Sequence, residues 1–463
     1  MKKIAIIGGG AAGLAAAIAA GNELARLGAA DECEIVLFEA DPERVGRSIL
    51  ATGNGRCNFS NAHIDPACYR NADFVEAALR SLARLSEISE WGSAQPVGAY
   101  GASAQGSAQP AGTSEALGRE SAQPASAFEA PVQRFFSDLG LMWREEGEGR
   151  MYPAANKASS VLDVLRAALD VSGARVEFGK SLRAIELPAR GKTRFHLRFS
   201  DGSIAHAEKV VLAVGGRGVS AVDTSSVIPR ELTRPVLGPL ATDSRITRQL
   251  NNIRVKCAVS LERSGSLVAR EEGELLFRDY GVSGVCVFNL SRFACEGDVL
   301  SIDFLPHMPA ADRDAWLFAR RKHLSARLGE NGQIAAEDVL RGAMLPQVAQ
   351  VLCKCAAIDP ARPLSKKDVL ALSRVIGGLR LTVRGIGDAK QCQVSRGGLS
   401  IAAFDPQTMG AVRASGLFAA GEALDVDAPC GGYNLHWAWS SGLLAGVSAA
   451  RSAVSADGEG EGE

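Results

Sequence analysis

The hexapeptide Gly8-Gly9-Gly10-Ala11-Ala12-Gly13 constrains the fold more than any other stretch of the chain. It follows the apolar run Ile4-Ala5-Ile6-Ile7, which reads as a short buried strand, and it opens an Ala-rich segment predicted to be helical over 11–27. A second strand is expected over 34–39, ending in Glu39. The result is a βαβ unit whose first turn is made of glycine. In such a unit Gly8 permits the tight turn, Gly10 lets the backbone approach a pyrophosphate, and Gly13 lets the helix lie against the strand, with the small Ala12 between them. The helix N-terminus then favours negative charge, and Glu39 can accept hydrogen bonds from an adenosine ribose. An acidic residue at that position disfavours a 2′-phosphate, so NADP is not the expected ligand of this turn. A signal peptide is a superficial rival, because Met1-Lys2-Lys3 precedes an uncharged run reaching Gly21. Glycines at 8, 9, 10 and 13 would weaken an h-region helix, and the strand-turn-helix reading is preferred.

The chain has 463 residues, and at roughly 150 per domain that leaves room for about three domains. Lys and Arg number 51 against 52 Asp and Glu, a net charge of −1, so there is no chain-wide basic field of the kind that draws a protein to nucleic acid or an anionic membrane. A small-molecule substrate is expected instead, with no nucleic-acid or membrane partner; the oligomeric state is not readable. The ten cysteines, at 33, 57, 68, 257, 286, 295, 353, 355, 392 and 430, show no CxxC spacing, which gives no ground for zinc or a redox dithiol and fits a reducing cytoplasm. No metal site is expected. No segment approaches the roughly 20 apolar residues that span a bilayer.

Four regions are expected. Residues 1–229 carry the βαβ unit, interrupted over 93–126 by a stretch rich in Ala, Gly and Ser in which Ser-Ala-Gln-Pro recurs at 93, 107 and 121. Such a repeat cannot bury enough apolar surface to offset its ordering entropy, and disorder is expected there. Helices are predicted around 132–139 and 159–171, the second capped by Ser159. The period then turns to two, and strands over 175–178, 181–187, 194–199 and 207–214 read as a β-meander, with Asp201-Gly202 as a hairpin turn. Residues 230–385 mix strands (255–262, 299–304) with helices (311–328, 335–356, 365–376) and read as an inserted domain. Residues 386–450 return to the apolar, Gly-rich style of the beginning, as the second half of the first domain would. The stretch 451–463 is expected to be a disordered tail. The fold class is therefore α/β.

The other glycine clusters bear on the cofactor. No second complete GxGxxG occurs, since Gly53-Asn54-Gly55 and Gly385-Ile386-Gly387 both lack the third glycine, so there is no dedicated second dinucleotide domain. Two further strand-to-glycine ends, Val210 to Gly216 through Ala213 and Gly215, and Gly416 to Glu422 through Gly421, suit a cofactor long enough to be clamped at both ends. FAD fits this better than NAD.

The segment Gly46-Arg47-Ser48-Ile49-Leu50-Ala51-Thr52-Gly53-Asn54-Gly55-Arg56-Cys57-Asn58 resembles the distinctive stretch of the BaiN/YhiN-type family of NAD(P)/FAD-dependent oxidoreductases, also called aminoacetone-oxidase-like flavoproteins. Gly149 to Pro153, Gly273 to Phe277 with Gly281 to Gly284, and Gly421 to Asp427 with Gly431-Gly432-Tyr433-Asn434-Leu435 resemble it in the same order. The resemblance implies a Rossmann-like FAD-binding domain built from both chain ends, with an inserted domain that is β-barrel-like and helical. It implies flavin contacts from Arg47, Thr52, Gly53, Asn54, Arg56, Cys57 and Asn58, where two glycines admit a planar ligand and the Asn amides and Arg56 offer donors. Glu422 stands where related flavoproteins hold the ribityl hydroxyls. Gly432, Tyr433 and Asn434 precede a helix whose N-terminus would face the flavin and stabilise its anionic reduced form.

The catalytic residue is left open. His436 stands where the family usually has Gln and is a candidate acid or base; Cys57 and Tyr433 are others, although Cys57 lacks a partner thiol and reads better as a packed one. Tyr152 and Tyr433 can line a pocket. Ser283 in Gly-Val-Ser-Gly has no triad context, and Trp437 and Trp439 read as core. Over 216–226 the chain departs from the family's Gly-Ser-Thr-Gly-Asp-Gly-Tyr-like motif, which puts its turnover in question. The resemblance implies hydride transfer between FAD and a small organic substrate, with NADH or NADPH as transient donor. The rivals are an FAD oxidase using dioxygen, a flavin-binding redox-responsive protein without turnover, and a flavin-free NAD dehydrogenase.

Overall fold

A computed structural model describes residues 1–88, 128–188, 193–224, 227–328 and 333–455. The insertion expected over 93–126 and part of the departing segment, 225–226, lie outside them. The chain divides into two compact units, Met1–Arg234 with Val394–Glu463, and Pro235–Gln393.

The first unit is organised on a five-stranded parallel sheet in the order Leu417–Ala419, Lys209–Leu212, Lys2–Ile7, Cys33–Phe38, Arg175–Glu177. Its central strand is buried from Ile4 to Ile7 without alternation, as a strand covered on both faces must be. The same property corrects the expected four-stranded meander. Val210-Val211-Leu212 is a continuous buried run and joins the parallel sheet beside the first strand, while Arg175–Glu177 takes the opposite edge. What remains is a separate three-stranded antiparallel sheet of Leu182–Glu186, Phe195–Phe199 and Ile204–Ala207, with the Asp201-Gly202 turn joining the last two.

The helix Ala11–Arg26 is buried along most of its length because it is sandwiched, and its other neighbour is the long C-terminal helix Tyr433–Ser455. Small residues make the approach possible: a methyl group added at Gly442 would lie 2.4 Å from the Ala12 carbonyl oxygen, and one at Gly446 2.3 Å from that of Ala16. Trp437 and Trp439 are buried on the same helix. The helix continues to Ser455, into the stretch from 451 expected to be tail, because its end is pinned. Arg451 donates to the buried Glu23 at 2.6 Å, Lys2 to the Ala453 carbonyl at 2.6 Å, and Lys209 to Ser452 at 2.7 Å. The two lysines also offset the negative end of the helix dipole. The helix predicted from 159 begins at Ala158, and no side chain caps it; Ser160, not Ser159, turns back to bond the Lys157 carbonyl.

The second unit is built on a closed six-stranded barrel, in the order Leu240–Thr242, Gly281–Ser283, Ser266–Arg278, Arg254–Arg263, Val299–Asp303, Leu379–Ile386. Helices Ala310–Leu328, Ala336–Val339, Pro346–Cys355 and Lys366–Ile376 complete its core. The single helix expected over 335–356 is therefore two, separated by a turn that leads to Pro346, a residue that suits the first turn of a helix and not its interior. Ser365 caps the last helix through a reciprocal capping box with Asp368. The unit runs past the expected boundary at 385 to Gln393, because Gly238 lies against Cys392 and the Gln393 amide bonds the Leu237 carbonyl. Ser283 lies on a barrel strand, and Gly284 beside it is required by close approach to the Glu274 carbonyl, not by a nucleophile elbow. Among the described residues no helix is long and apolar enough to cross a membrane.

Candidate functional site

The glycines of the turn differ in what surrounds them. A methyl group on Gly8 would lie 2.5 Å from the Ala213 carbonyl oxygen, and one on Gly13 only 1.8 Å from that of Gly8, so these two are sealed by backbone. Gly10 is open: a methyl group there would meet only Ser48 Oγ, at 3.4 Å. Gly10 also occupies the N-cap of the helix with no side-chain hydrogen bond to its first N–H groups. An uncapped N-terminus behind an open glycine is a cradle for a phosphate group. Glu39 is half-buried beside it, accepting from the Gly9 amide at 2.6 Å and from the Asp41 amide at 2.7 Å. Each of its oxygens has capacity left for a hydroxyl.

From this turn a chain of contacts leads through the other expected residues. The Gly46 amide bonds the Gly9 carbonyl, bringing in the segment 46–58. Gly421 packs on Ala12, and the Gly421 amide and carbonyl are both held by the C-terminal helix, through Ser441 Oγ at 2.9 Å and Trp437 Nε1 at 3.2 Å. Gly216 lies against Ser395 and the Glu422 carbonyl, while Gly215 is open. Gly432 abuts the Ser60 carbonyl and Asn58 Oδ1. Asn58 Oδ1 is buried with no hydrogen bond among the described residues, an acceptor that suits a ligand's polar edge.

Several of the expected residues also have partners within the protein. Arg47 is exposed and pairs with Asp41 at 3.3 Å. Arg56 bonds Asn156 and Glu146 and lies 4.0 Å from the centre of the Tyr152 ring. Thr52 donates to the Ile49 carbonyl at 2.6 Å, and Gly53, Asn54 and Cys57 take left-handed backbone conformations in the turn that follows. Asn434 braces residues 428–429, accepting from the Ala428 amide and donating to its carbonyl, both at 2.9 Å. The Tyr433 hydroxyl donates to the His63 carbonyl at 2.8 Å.

The titratable groups separate by environment. Burial pushes the Cys57 thiol up to about 11 and the Tyr433 hydroxyl up to about 12, so both stay protonated near neutrality. Burial pushes His436 down to about 3; the imidazole is neutral and fully enclosed, with Nδ1 2.9 Å from Ser60 Oγ. These three are thereby weakened as acid-base candidates. Glu422 is the exception: burial raises its carboxyl to about 7, against the opposing pull of the Ser395 backbone and Arg217.

Sequence reasoning did not single out the frame behind Glu422. Asp425 and Asp427 are buried acids, the first accepting from Arg70 Nε at 2.9 Å on both oxygens and from the Gly397 amide at 2.8 Å, the second bonded by Arg396 through two contacts of 2.8 Å. The alternation of acids in Glu422-Ala423-Leu424-Asp425-Val426-Asp427 was visible, but their arginine partners are distant in sequence.

A parallel sheet whose first strand passes through this turn into a helix, with an acid closing the second strand, defines a nucleotide-binding protein of the Rossmann class. The chain belongs to the HI0933-like family, whose Rossmann-domain model matches residues 120–448. It is 29% identical to the 3-dehydro-bile acid delta(4,6)-reductase of Clostridium scindens, over 97% of this chain and 99% of the relative. It is 25% identical to the ribosomal RNA dihydrouridine synthase of Escherichia coli, over 94% and 95%. Among solved structures it resembles a flavocytochrome c3 fumarate reductase at TM-score 0.43 and 14% identity, covering 98% of this chain and 78% of that one. It also resembles a 3-ketosteroid-delta4-(5alpha)-dehydrogenase from Rhodococcus jostii at TM-score 0.40 and 14% identity, covering 97% of both.

Proposed function

We propose that this chain, an FAD-dependent oxidoreductase, passes hydride between the flavin and a small unsaturated organic molecule, with NADH or NADPH as a visiting donor. The observation that carries the reading is the contrast within the glycine turn, where Gly8 and Gly13 are closed by backbone and Gly10 alone is open in front of an uncapped helix N-terminus. Bound FAD supplies two-electron hydride chemistry at its N5. The residues of this chain do the rest. Gly9, Gly10 and the first turn of the helix would hold the pyrophosphate, and Glu39 the adenosine ribose. Glu422, with a carboxyl near 7, can accept hydroxyl hydrogen bonds from the ribityl chain and exchange a proton close to neutrality. Asn58 Oδ1 offers an acceptor, and the Gly431-Gly432 turn presents the amides of the C-terminal helix. Cys57, held as a thiol, supports no disulfide chemistry.

The substrate class is supported by the names of two relatives, a bile-acid delta(4,6)-reductase and a dihydrouridine synthase, both of which denote hydrogen added across a ring double bond. A small molecule is the preferred substrate because the net charge of −1 gives no field for an RNA backbone. The test is the visible spectrum of the purified protein, followed anaerobically as NADH or NADPH is added. A flavin band that bleaches supports the reading, and a screen of unsaturated steroids against uridine-containing RNA then separates the substrates. A band that persists favours a dioxygen-using oxidase or a flavin protein without turnover. No band after FAD is supplied refutes the cofactor assignment.

A further inference from the structure

The Gly431-Gly432 turn is gripped by a short segment far from it in sequence. Asn61 Nδ2 donates to the carbonyl oxygens of Gly431 and Glu148, each at 2.9 Å, and Asn61 Oδ1 accepts from the His63 amide at 2.8 Å, so the amide group is fully oriented. The neighbouring Ser60 presses its carbonyl on Gly432 so closely that a methyl group there would lie 2.2 Å from the oxygen. Ser60 Oγ lies 2.9 Å from His436 Nδ1, and the His436 amide donates to the Gly432 carbonyl at 2.9 Å. One turn further, Trp439 Nε1 donates to the Phe59 carbonyl at 2.9 Å. Residues 59–61 and the first two turns of the C-terminal helix are thus stitched together on both sides of the glycine pair.

A Ser–His pair invites a nucleophilic reading, but Ser60 and His436 are both 0% exposed, so neither can meet a substrate. His436 Nε2 makes no hydrogen bond among the described residues, the Phe128 backbone lies beside the imidazole, and no carboxylate among the described residues pairs with it to orient it. What the pair can do is hold geometry. A helix N-terminus acts on a neighbouring charge only through its first exposed amides, and their effect depends on where they point.

We propose that Ser60, Asn61 and His436 are positioning residues that lock the Gly431-Gly432 turn and so fix the direction in which the amides opening the C-terminal helix face the flavin. The proposal rests on the FAD reading above. An imidazole with one accepting and one donating nitrogen is matched by the amide of glutamine, which also offers one acceptor and one donor. H436Q is therefore the rescue variant, and H436L the disrupting one; N61A tests the same clamp without altering the helix.

The experiment measures the flavin midpoint potential and the amide hydrogen exchange of residues 432–436 in the full-length wild type and variants. N61A and H436L are expected to change the ratio of affinities for oxidised and reduced flavin by about tenfold, or about 30 mV for a two-electron couple. Exchange at 432–436 should rise at least tenfold in both, and H436Q should restore both quantities to wild type. Unchanged potential and exchange in N61A and H436L, or an H436Q as perturbed as H436L, would overturn the proposal. If the wild type takes up no FAD, the cofactor reading fails separately, and the clamp stands or falls on exchange in the FAD-free protein.

Discussion

Substituting alanine at Gly10 and at Gly13 should produce opposite outcomes from the same chemical change. At Gly13 the added methyl group would lie 1.8 Å from the Gly8 carbonyl oxygen, about half of an ordinary contact distance. Relief requires the helix to move away from the strand or the turn to open, and overpacking of this kind costs about 1–3 kcal/mol. For a domain of this size that is a fall in Tm of roughly 2–4 °C per kcal/mol at most. At Gly10 the backbone has φ −80, which any residue adopts, and the methyl group meets only Ser48 Oγ at 3.4 Å. The FAD-free G10A protein should therefore match wild type within about 0.5 kcal/mol. Its methyl group stands on the face left open toward the pyrophosphate, and FAD affinity should fall at least tenfold, or about 1.4 kcal/mol. The assay pairs thermal melts of FAD-free protein with flavin titration. A G10A protein that binds FAD normally but melts early, or a G13A protein indistinguishable from wild type in both, would refute the assignment of roles within the turn.

Alanine at Gly446, where a methyl group would lie 2.3 Å from the Ala16 carbonyl oxygen, should destabilise the first unit by about 1–3 kcal/mol in thermal melts. His436 is depressed to about 3 against an ordinary 6.5, so between those values the unfolded chain binds one more proton than the folded one. Stability should then fall as pH drops from 6.5 toward 3 with a slope of about 1.4 kcal/mol per unit from this residue, and denaturant midpoints of H436Q should lack that component. Cys57, buried with its thiol raised to about 11, should resist iodoacetamide at pH 8 in the native protein and react once denatured, as read by peptide mass spectrometry. Glu422, raised to about 7, should give the flavin-loaded protein a spectral titration near neutrality that E422Q abolishes.

The first βαβ unit was legible because its signals are local: an apolar run, a glycine turn and an acid closing the next strand lie within the first 39 residues. The Asp201-Gly202 hairpin and the Ser365 cap were readable for the same reason. What misled was a property of pairing. Val210 to Leu212 has the β-branched composition of any strand, and only its neighbours decide that it lies in the parallel sheet and not in the hairpin sheet beside it. The length of the last helix was hidden likewise, since Lys2, Glu23 and Lys209, which hold its end, are at least 240 positions away. In the candidate site the glycines at 8, 10, 13 and 432 stood out in the sequence because glycine carries a conformational signature, whereas the partners of Arg47 and Arg56, the acceptors Asp41 and Glu146, had no local signal. Ser60 and Asn61 carried no signal, because a buried clamp is defined by what it touches.

The pairing of the first helix with the last has a consequence in time. Arg451 reaches Glu23 across 428 positions, and the strand Leu417–Ala419 that borders Lys209–Leu212 is made only after residues 235–393. Residues 235–393, by contrast, have all their barrel strands in hand once Ile386 has left the ribosome. Because domains fold as units when their sequence is complete, the barrel is set to fold on the nascent chain while the nucleotide-binding unit waits for its own C-terminal segment. During that wait the exposed flank of Lys209–Leu212 and the small-residue face of the first helix are apolar surfaces without a partner, and they are where a stalled or truncated chain would aggregate or recruit a chaperone.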